Sequence, residues 1–346
     1  MKTVMDRYLN NDKTEVETLE KTYDVDQVLD DLESHPYLLR VECLHDLEED
    51  IISQENLIKK FGKGLMVDLK DSIDDLLKGS ESVNKKYIDR LEELSKRAKD
   101  IEGKEKHSIS SLASMIYNNV EGDFQTDLSK LLKNDISFLE DTLKLIKEID
   151  NANDENIKTF SKVLKAKDKK EYLKIVAKDV NPNLILAENV VKNTKVSETL
   201  LYNTVIDTTG DYIKLESSGG SYSLKDKHNT NLKPYMTGKD ISDVLKQVIR
   251  IGEVTKDLIS LMKDLEEKHH PRTGRVAKEI ISIEKQMIDK IGMVDFVAGL
   301  SLLIVINQKF YKTLDKFPRK LVARNIKVLK KFTSFGEKAA SVKIRD

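Results

Sequence analysis

The sequence predicts a mainly α protein, an elongated bundle of helices and coiled-coil hairpins with a small β-meander insertion. Three observations predict it. Helix breakers are scarce, with five prolines and fourteen glycines in 346 residues. Charged residues make up 34% and apolar residues 39%, a mixture suited to long amphipathic helices with a sizeable core. Apolar residues also recur at alternating steps of three and four over most of the chain, the period of one helical face.

The elements follow in order. Leu44, Leu47, Ile51 and Ile58 lie on one side of an acidic helix that Gly62 and Gly64 are expected to end. A second stripe runs through Val83, Tyr87, Leu91, Leu94, Ala98 and Ile101, and a third through Phe124, Leu128, Leu132, Leu139, Leu143 and Ile146. Asn181-Pro182 halts this helical run, because proline disfavours helix at the residue before it. Residues 200 to 226 read differently. Tyrosines and β-branched residues gather there around Thr209-Gly210 and Gly219-Gly220, which predicts a meander or a hairpin with a third short strand.

The clearest helix start is Thr237 with Asp240 three residues on, the spacing of a capping box. From there Ile241, Val244, Val248, Ile251, Thr255, Leu258, Met262 and Leu265 form a heptad seam that needs a partner helix. The stretch HHPRTG is expected to break it, and Val276, Ile280, Ile283, Met287 and Ile291 would return as the second arm of an antiparallel hairpin. A third helix would carry VDFVAGLSLLIVINQKF, Val294 to Phe310, and stop near Phe317-Pro318. The apolar run from Phe296 to Ile306 is eleven residues between Asp295 and Asn307, and a spanning helix needs roughly 20. It reads as a helix buried at the centre of a bundle.

These readings divide the chain into an acidic segment 1–55, a helical region 56–199, the β insertion 200–235 and a C-terminal helical region 236–346. The sequence leaves open whether the two helical regions form one bundle or two domains. The net charge of −1 conceals opposed ends. Residues 1–55 hold sixteen acids against five bases, and residues 309–346 hold twelve bases against three acids. Such ends are either solvated helical faces, paired with each other, or an acidic arm and a basic tail for an anionic partner.

Chemistry-bearing motifs are sparse. There is no GxxxxGK[ST], GxGxxG after a strand, HExxH or GxSxG, and FGKGLM lacks the residues of a phosphate loop. His269 and His270 are adjacent and point to different sides of a helix, and Cys43 and His45 do not face each other. One cysteine makes no internal disulfide, and the opening MKTVMDRYLNNDKTEVETLE is too polar for a secretory signal. The expectation is a non-enzymatic protein with no catalytic residues, cofactor, metal or small-molecule substrate, and no membrane span.

The acidic segment ends in LEEDIISQENLIKK, where Ser53, Gln54 and Glu55 form a small-X-Glu sequence. With DYIKLESSGGSYSLKDKHNTNLKPYMTGKDISDVLKQVIRIGE, the apolar helix and PRKLVARNIKVLKKF, this plan resembles the internal head proteins of large tailed bacteriophages. The resemblance implies a virion structural protein in the head interior after synthesis in the host cytoplasm. It implies head and core proteins as partners, and a maturation protease that removes an acidic propeptide after such glutamates. Packaged double-stranded DNA would be touched independently of sequence by Arg319, Lys320, Arg324, Lys327, Lys330 and Lys331. Two other readings stand beside it: a helical membrane-active, pore-forming toxin-like component that releases the Phe296 to Ile306 helix, and a cytoplasmic coiled-coil scaffold.

Overall fold

The computed structural model describes residues 23–34, 63–101, 107–108, 112, 115, 124–175, 178, 201–202, 204–207, 214–217, 235–291 and 293–340. Side chains of 63–72, 107–108, 124–127, 156–157, 160, 164, 207, 235, 269–309 and 311–312 lie outside the description, as do the segment around Leu44 to Ile58, the cleavage sequence, Cys43 and the Asn181-Pro182 stop. The protein is mainly α, with short antiparallel strand pairs. Its helices are α1 (Val25–Ser34), α2 (Lys63–Lys99), α3 (Phe124–Leu164), α4 (Lys169–Ile175), α5 (Gly238–Ile291) and α6 (Met293–Ala340). Its strands are β1 (His107–Ser108), β2 (Thr204–Asp207), β3 (Lys214–Ser217) and β4 (Tyr235–Met236).

The apolar stripes form the core. Val83, Leu91, Leu94 and Ala98 of α2 are buried, as are Leu128, Leu132, Leu139 and Ile146 of α3. Every seam position of α5 from Ile241 to Leu265 is buried, the polar Thr255 included. Helices α2, α3 and α6 all pack on α5, so segments on both sides of the β insertion share one hydrophobic core. The start of α5 is fixed by the expected reciprocal cap. Thr237 N–H donates to Asp240 Oδ2 at 3.1 Å and Asp240 N–H to Thr237 Oγ1 at 3.3 Å.

Two expected breaks are absent. Helix α5 runs through His269 to Gly274 without ending, and α6 runs through Pro318. An interior proline removes one hydrogen bond and costs about 3 kcal/mol. At Pro318 the apolar face keeps its phase, with Phe310, Leu314, Phe317 and Leu321 all buried, so the packing on both sides outweighs that cost. The spacing from Leu265 to Val276 likewise keeps the stripe of α5 in phase across the proline. The antiparallel hairpin is therefore made by α5 and α6. Leu245 lies by Gly336, Thr255 bonds Asn325, and Glu266 faces Asp315, so ascending positions on one helix meet descending positions on the other. The end of the acidic helix expected at Gly62 and Gly64 lies outside the described residues, and Gly64 is the second residue of α2.

The β content also differs in extent. Strands β2 and β3 pair in register from Thr204↔Ser217 to Asp207↔Lys214, as a hairpin in the expected place. A second pair joins His107↔Met236 and Ser108↔Tyr235, tying the chain after α2 to the chain before α5. Two-residue strands carry no periodic signal, so β1 is not legible in the sequence.

The ends of α2 and α5 approach closely at Gly238. A Cβ there would stand 2.5 Å from the Ala98 carbonyl oxygen, and backbone does not yield as a side-chain tip does. Gly238→Ala is expected to destabilise the fold by about 1–3 kcal/mol, although alanine favours helix by about 1 kcal/mol. Thermal unfolding measures this, and a Gly238→Ala melt at or above the parental temperature would contradict the close approach.

Candidate functional site

The basic end of the chain folds into the last turns of α6, and its six candidate phosphate ligands separate into three groups. Helix α6 is buried all round from Leu321 to Ile326, because α2, α3, α5 and β3 pack on it. Arg324 lies in this stretch at 3% exposure and Arg319 just before it at 5%. Neither guanidinium is placed to reach a phosphate, which corrects their assignment. Lys327 and Lys330 are half-exposed and paired with acids of α1. Lys320 and Lys331 are exposed. Lys320, Lys327, Lys331 and Lys338 follow one another at steps of seven, four and seven, which places them on one face of α6.

Arg324 is the centre of a buried polar network. Its Nη1 donates to Asp135 Oδ2 at 2.8 Å and its Nη2 to Asp135 Oδ1, a bidentate pair between α6 and α3. Nη1 also donates to Asn325 Oδ1 at 3.1 Å, Nη2 to the Leu201 carbonyl at 3.0 Å, and Nε to Thr204 Oγ1 at 3.3 Å. All five donors of the guanidinium are thereby engaged. Thr204 Oγ1 donates its own proton to the Leu201 carbonyl at 2.9 Å. Asn325 Nδ2 donates to Thr255 Oγ1 at 3.0 Å, whose hydroxyl donates to the Ile251 carbonyl at 2.7 Å, which extends the network into α5. One turn of α5 also receives α2, where Asn84 Nδ2 donates to the Gly252 carbonyl at 2.9 Å.

Tyr202 carries a positive φ of 55° beside this network, and its N–H donates to the Met115 carbonyl at 2.8 Å. A tyrosine in the left-handed region costs about 1–2 kcal/mol. The bend sits next to the Leu201 carbonyl that Arg324 and Thr204 share. Burial raises the Tyr202 phenol above its ordinary pKa, an effect that Arg324 opposes.

A second buried charge group lies farther along the α5–α6 pair. Arg319 Nη2 donates to Asp315 Oδ2 at 2.9 Å and Nε to the Asp315 carbonyl at 3.2 Å, one turn apart on α6. Glu266 of α5 is buried against this turn. Burial, and secondarily the Asp315 charge, pushes its carboxyl up to about 7. Nearby, exposed Lys268 reaches the buried Asp150 of α3 at 3.2 Å.

The acidic end meets the basic end through α1. Asp24 caps this helix, its Oδ1 accepting from Asp26 N–H at 2.8 Å and Gln27 N–H at 3.0 Å, which hold its carboxyl below the usual range. Val28, Leu29 and Leu32 are buried against α2 and α6, and Tyr23 Oη donates to Asp75 Oδ1 at 3.3 Å. Lys327 Nζ donates to Glu33 Oε1, and Lys330 Nζ to Asp26 Oδ1 at 2.7 Å. Of the two sequence readings of the charged ends, this contact matches the pairing of acidic and basic helical faces. Among the described residues no group of three or more His, Cys, Asp or Glu is placed to share a metal ion.

Sequence reasoning missed the Arg324–Asp135 pair, although a signal existed. Asp135 occupies the gap between Leu132 and Leu139 in the α3 stripe, and Arg324 the step between Leu321 and Val328. A charge at a seam position is the mark of a buried pair.

No protein-family model, curated protein or solved structure matches the chain.

Removing one member of the buried pair leaves an uncompensated charge, so Asp135→Asn is expected to cost about 3–5 kcal/mol in denaturant unfolding. The apolar double change Asp135→Leu with Arg324→Met should recover most of that loss; an equal or larger loss would show that the pair is not the cause. Glu266 carries a raised pKa in the fold, so its contribution is full below about 4.5 and lost as pH rises to about 7. Glu266→Gln should remove that slope and stabilise the protein at pH 8 by an amount on the order of 3 kcal/mol. A parallel pH–stability curve for the two proteins would contradict this.

Proposed function

We propose that this chain is a non-enzymatic structural protein of the phage internal head type that its sequence resembles, packed with the genome. The observation that carries the reading is the seat of α1: an acidic helix of the N-terminal segment pairs with the half-exposed cations Lys327 and Lys330 of α6. An acidic segment that is removed by a maturation protease after Glu55 would take Asp26 and Glu33 with it. The face of α6 carrying Lys320, Lys327 and Lys331, with Lys330 beside it, would then meet duplex DNA through phosphates alone, a contact that needs no base-reading element. The buried polar side chains of the bundle fit a structural role, since Arg324, Asp135, Asn325, Thr255 and Asn84 join helices to one another.

One observation favours the membrane-active reading as a second. Helix α6 begins at Met293, so the apolar run Phe296 to Ile306 lies next to the turn of the α5–α6 hairpin. Among the described residues no helix is long and apolar enough to cross a membrane. Leakage of dye from liposomes by the full chain would favour this reading over the first.

The test of the first reading is duplex DNA binding across salt concentrations. Asp26→Asn with Glu33→Gln frees two lysines without removing α1. It should steepen the slope of log K against log salt by about 1.8, roughly 0.9 for each phosphate contact. Lys320→Gln with Lys331→Gln should flatten it by a similar amount and leave helicity unchanged. Failure of every form to bind duplex DNA at low salt would remove the genome-packing role.

A further inference from the structure

We infer that α1 is an exchangeable element whose seat on α2 and α6 also joins copies of this chain, each taking the α1 of the other. The inference does not depend on DNA binding.

The seat is a complete receptor for one kind of occupant. Its floor takes three apolar side chains, Val28, Leu29 and Leu32, spaced as the inner face of a single helix. Gly79 lets the floor approach closely, because a Cβ there would stand 2.9 Å from Cδ1 of Tyr23. Its rim offers two ammonium groups, Lys330 at one end of α1 and Lys327 at the other. The matching ligand is a short amphipathic helix with a carboxylate near each end. Any second copy presents that helix as its own Val25–Ser34.

The polar part of the attachment is modest. Isolated helices shorter than about 12–15 residues are marginal in water, and α1 has ten residues. Its two ion pairs join side chains that are 43–76% exposed, so each contributes little. Occupancy in cis is helped by the covalent link between α1 and α2, and linked partners reach effective concentrations on the order of millimolar. A neighbouring copy competes once the protein itself approaches that concentration. Chain length permits the exchange. Twenty-eight residues separate Ser34 from Lys63, and at full extension they cover roughly 95 Å, more than the length of α2 at about 55 Å. Reciprocal exchange makes identical contacts in both copies, the low-cost route to a symmetric dimer.

A charge-swapped pair tests this. One full-length chain carries Asp26→Lys with Glu33→Lys, and the other Lys327→Glu with Lys330→Glu. Within either chain α1 and its seat repel, whereas across the two chains each α1 finds a seat of opposite sign. Light scattering should find each variant mainly monomeric and their mixture heterodimeric, the dimer weakening as salt rises. A mixture that stays monomeric up to about 1 mM, the effective concentration at which exchange should compete, would overturn the proposal. A second measurement keeps the test decisive if a variant folds poorly. Two otherwise unaltered chains, each with Cys43→Ser, carry Glu33→Cys in one and Lys327→Cys in the other, and are mixed with a short bis-maleimide. Cross-linked heterodimer that increases with protein concentration and is suppressed by an excess of a peptide spanning residues 23–34 supports exchange. Cross-linking no greater than that of a Lys320→Cys control, or insensitive to the peptide, overturns it.

Discussion

The guanidinium of Arg324 is the constraint to which the rest of this bundle is fitted. A cation at 3% exposure is costly to bury unless its donors are engaged, and here each acceptor comes from a defined place in the chain. Asp135 fixes the rotation of α3 against α6, the Leu201 carbonyl and Thr204 hydroxyl fix where the β2–β3 hairpin begins, and Asn325 links the group to Thr255 of α5. Apolar seams alone would let long helices slide by a turn at small cost. A bidentate pair with directed hydrogen bonds makes such a slide expensive, since it would strand a buried charge. The network thus sets register, while the surrounding leucines, isoleucines and phenylalanines supply the bulk of the driving force.

The charged ends follow a different logic. The α1–α6 pairs sit in water and contribute little each, so this contact is weak where the Arg324 contact is strong. Helix α1 is held instead by Val28, Leu29 and Leu32, which are buried with the rest of the core. The Glu266, Asp315 and Arg319 group lies between these extremes. It is buried like the first, yet its carboxyl titrates near neutrality because burial penalises the charge.

Much of the fold is legible in the sequence. The stripes of α2, α3 and α5 and the Thr237–Asp240 cap are readable because local periodicity and capping chemistry depend on a few neighbouring residues. The stops expected at Pro271 and Pro318 do not form. Local cost argues for a break, but the apolar phase continues across both, and at Pro318 the buried neighbours on either side outweigh that cost. The site is less legible. Lys320 and Lys331 lie on the surface as a basic interleaved helix suggests, whereas Arg319 and Arg324 are buried, because composition does not say which face of α6 its neighbours cover. Asp135 and Arg324 are 189 residues apart, and only their intrusion into otherwise apolar seams marks them.

Native-state hydrogen exchange, followed residue by residue, tests most directly whether the Arg324 network holds the bundle in register. Amides flanking Asp135 in α3, Thr255 in α5 and Arg324 in α6 should be the slowest in the protein and should open together, with the free energy of global unfolding. Exchange of the Asp135 turn through a separate, lower-energy opening, while α5 and α6 stay protected, would show that the network does not bind the three helices into one unit.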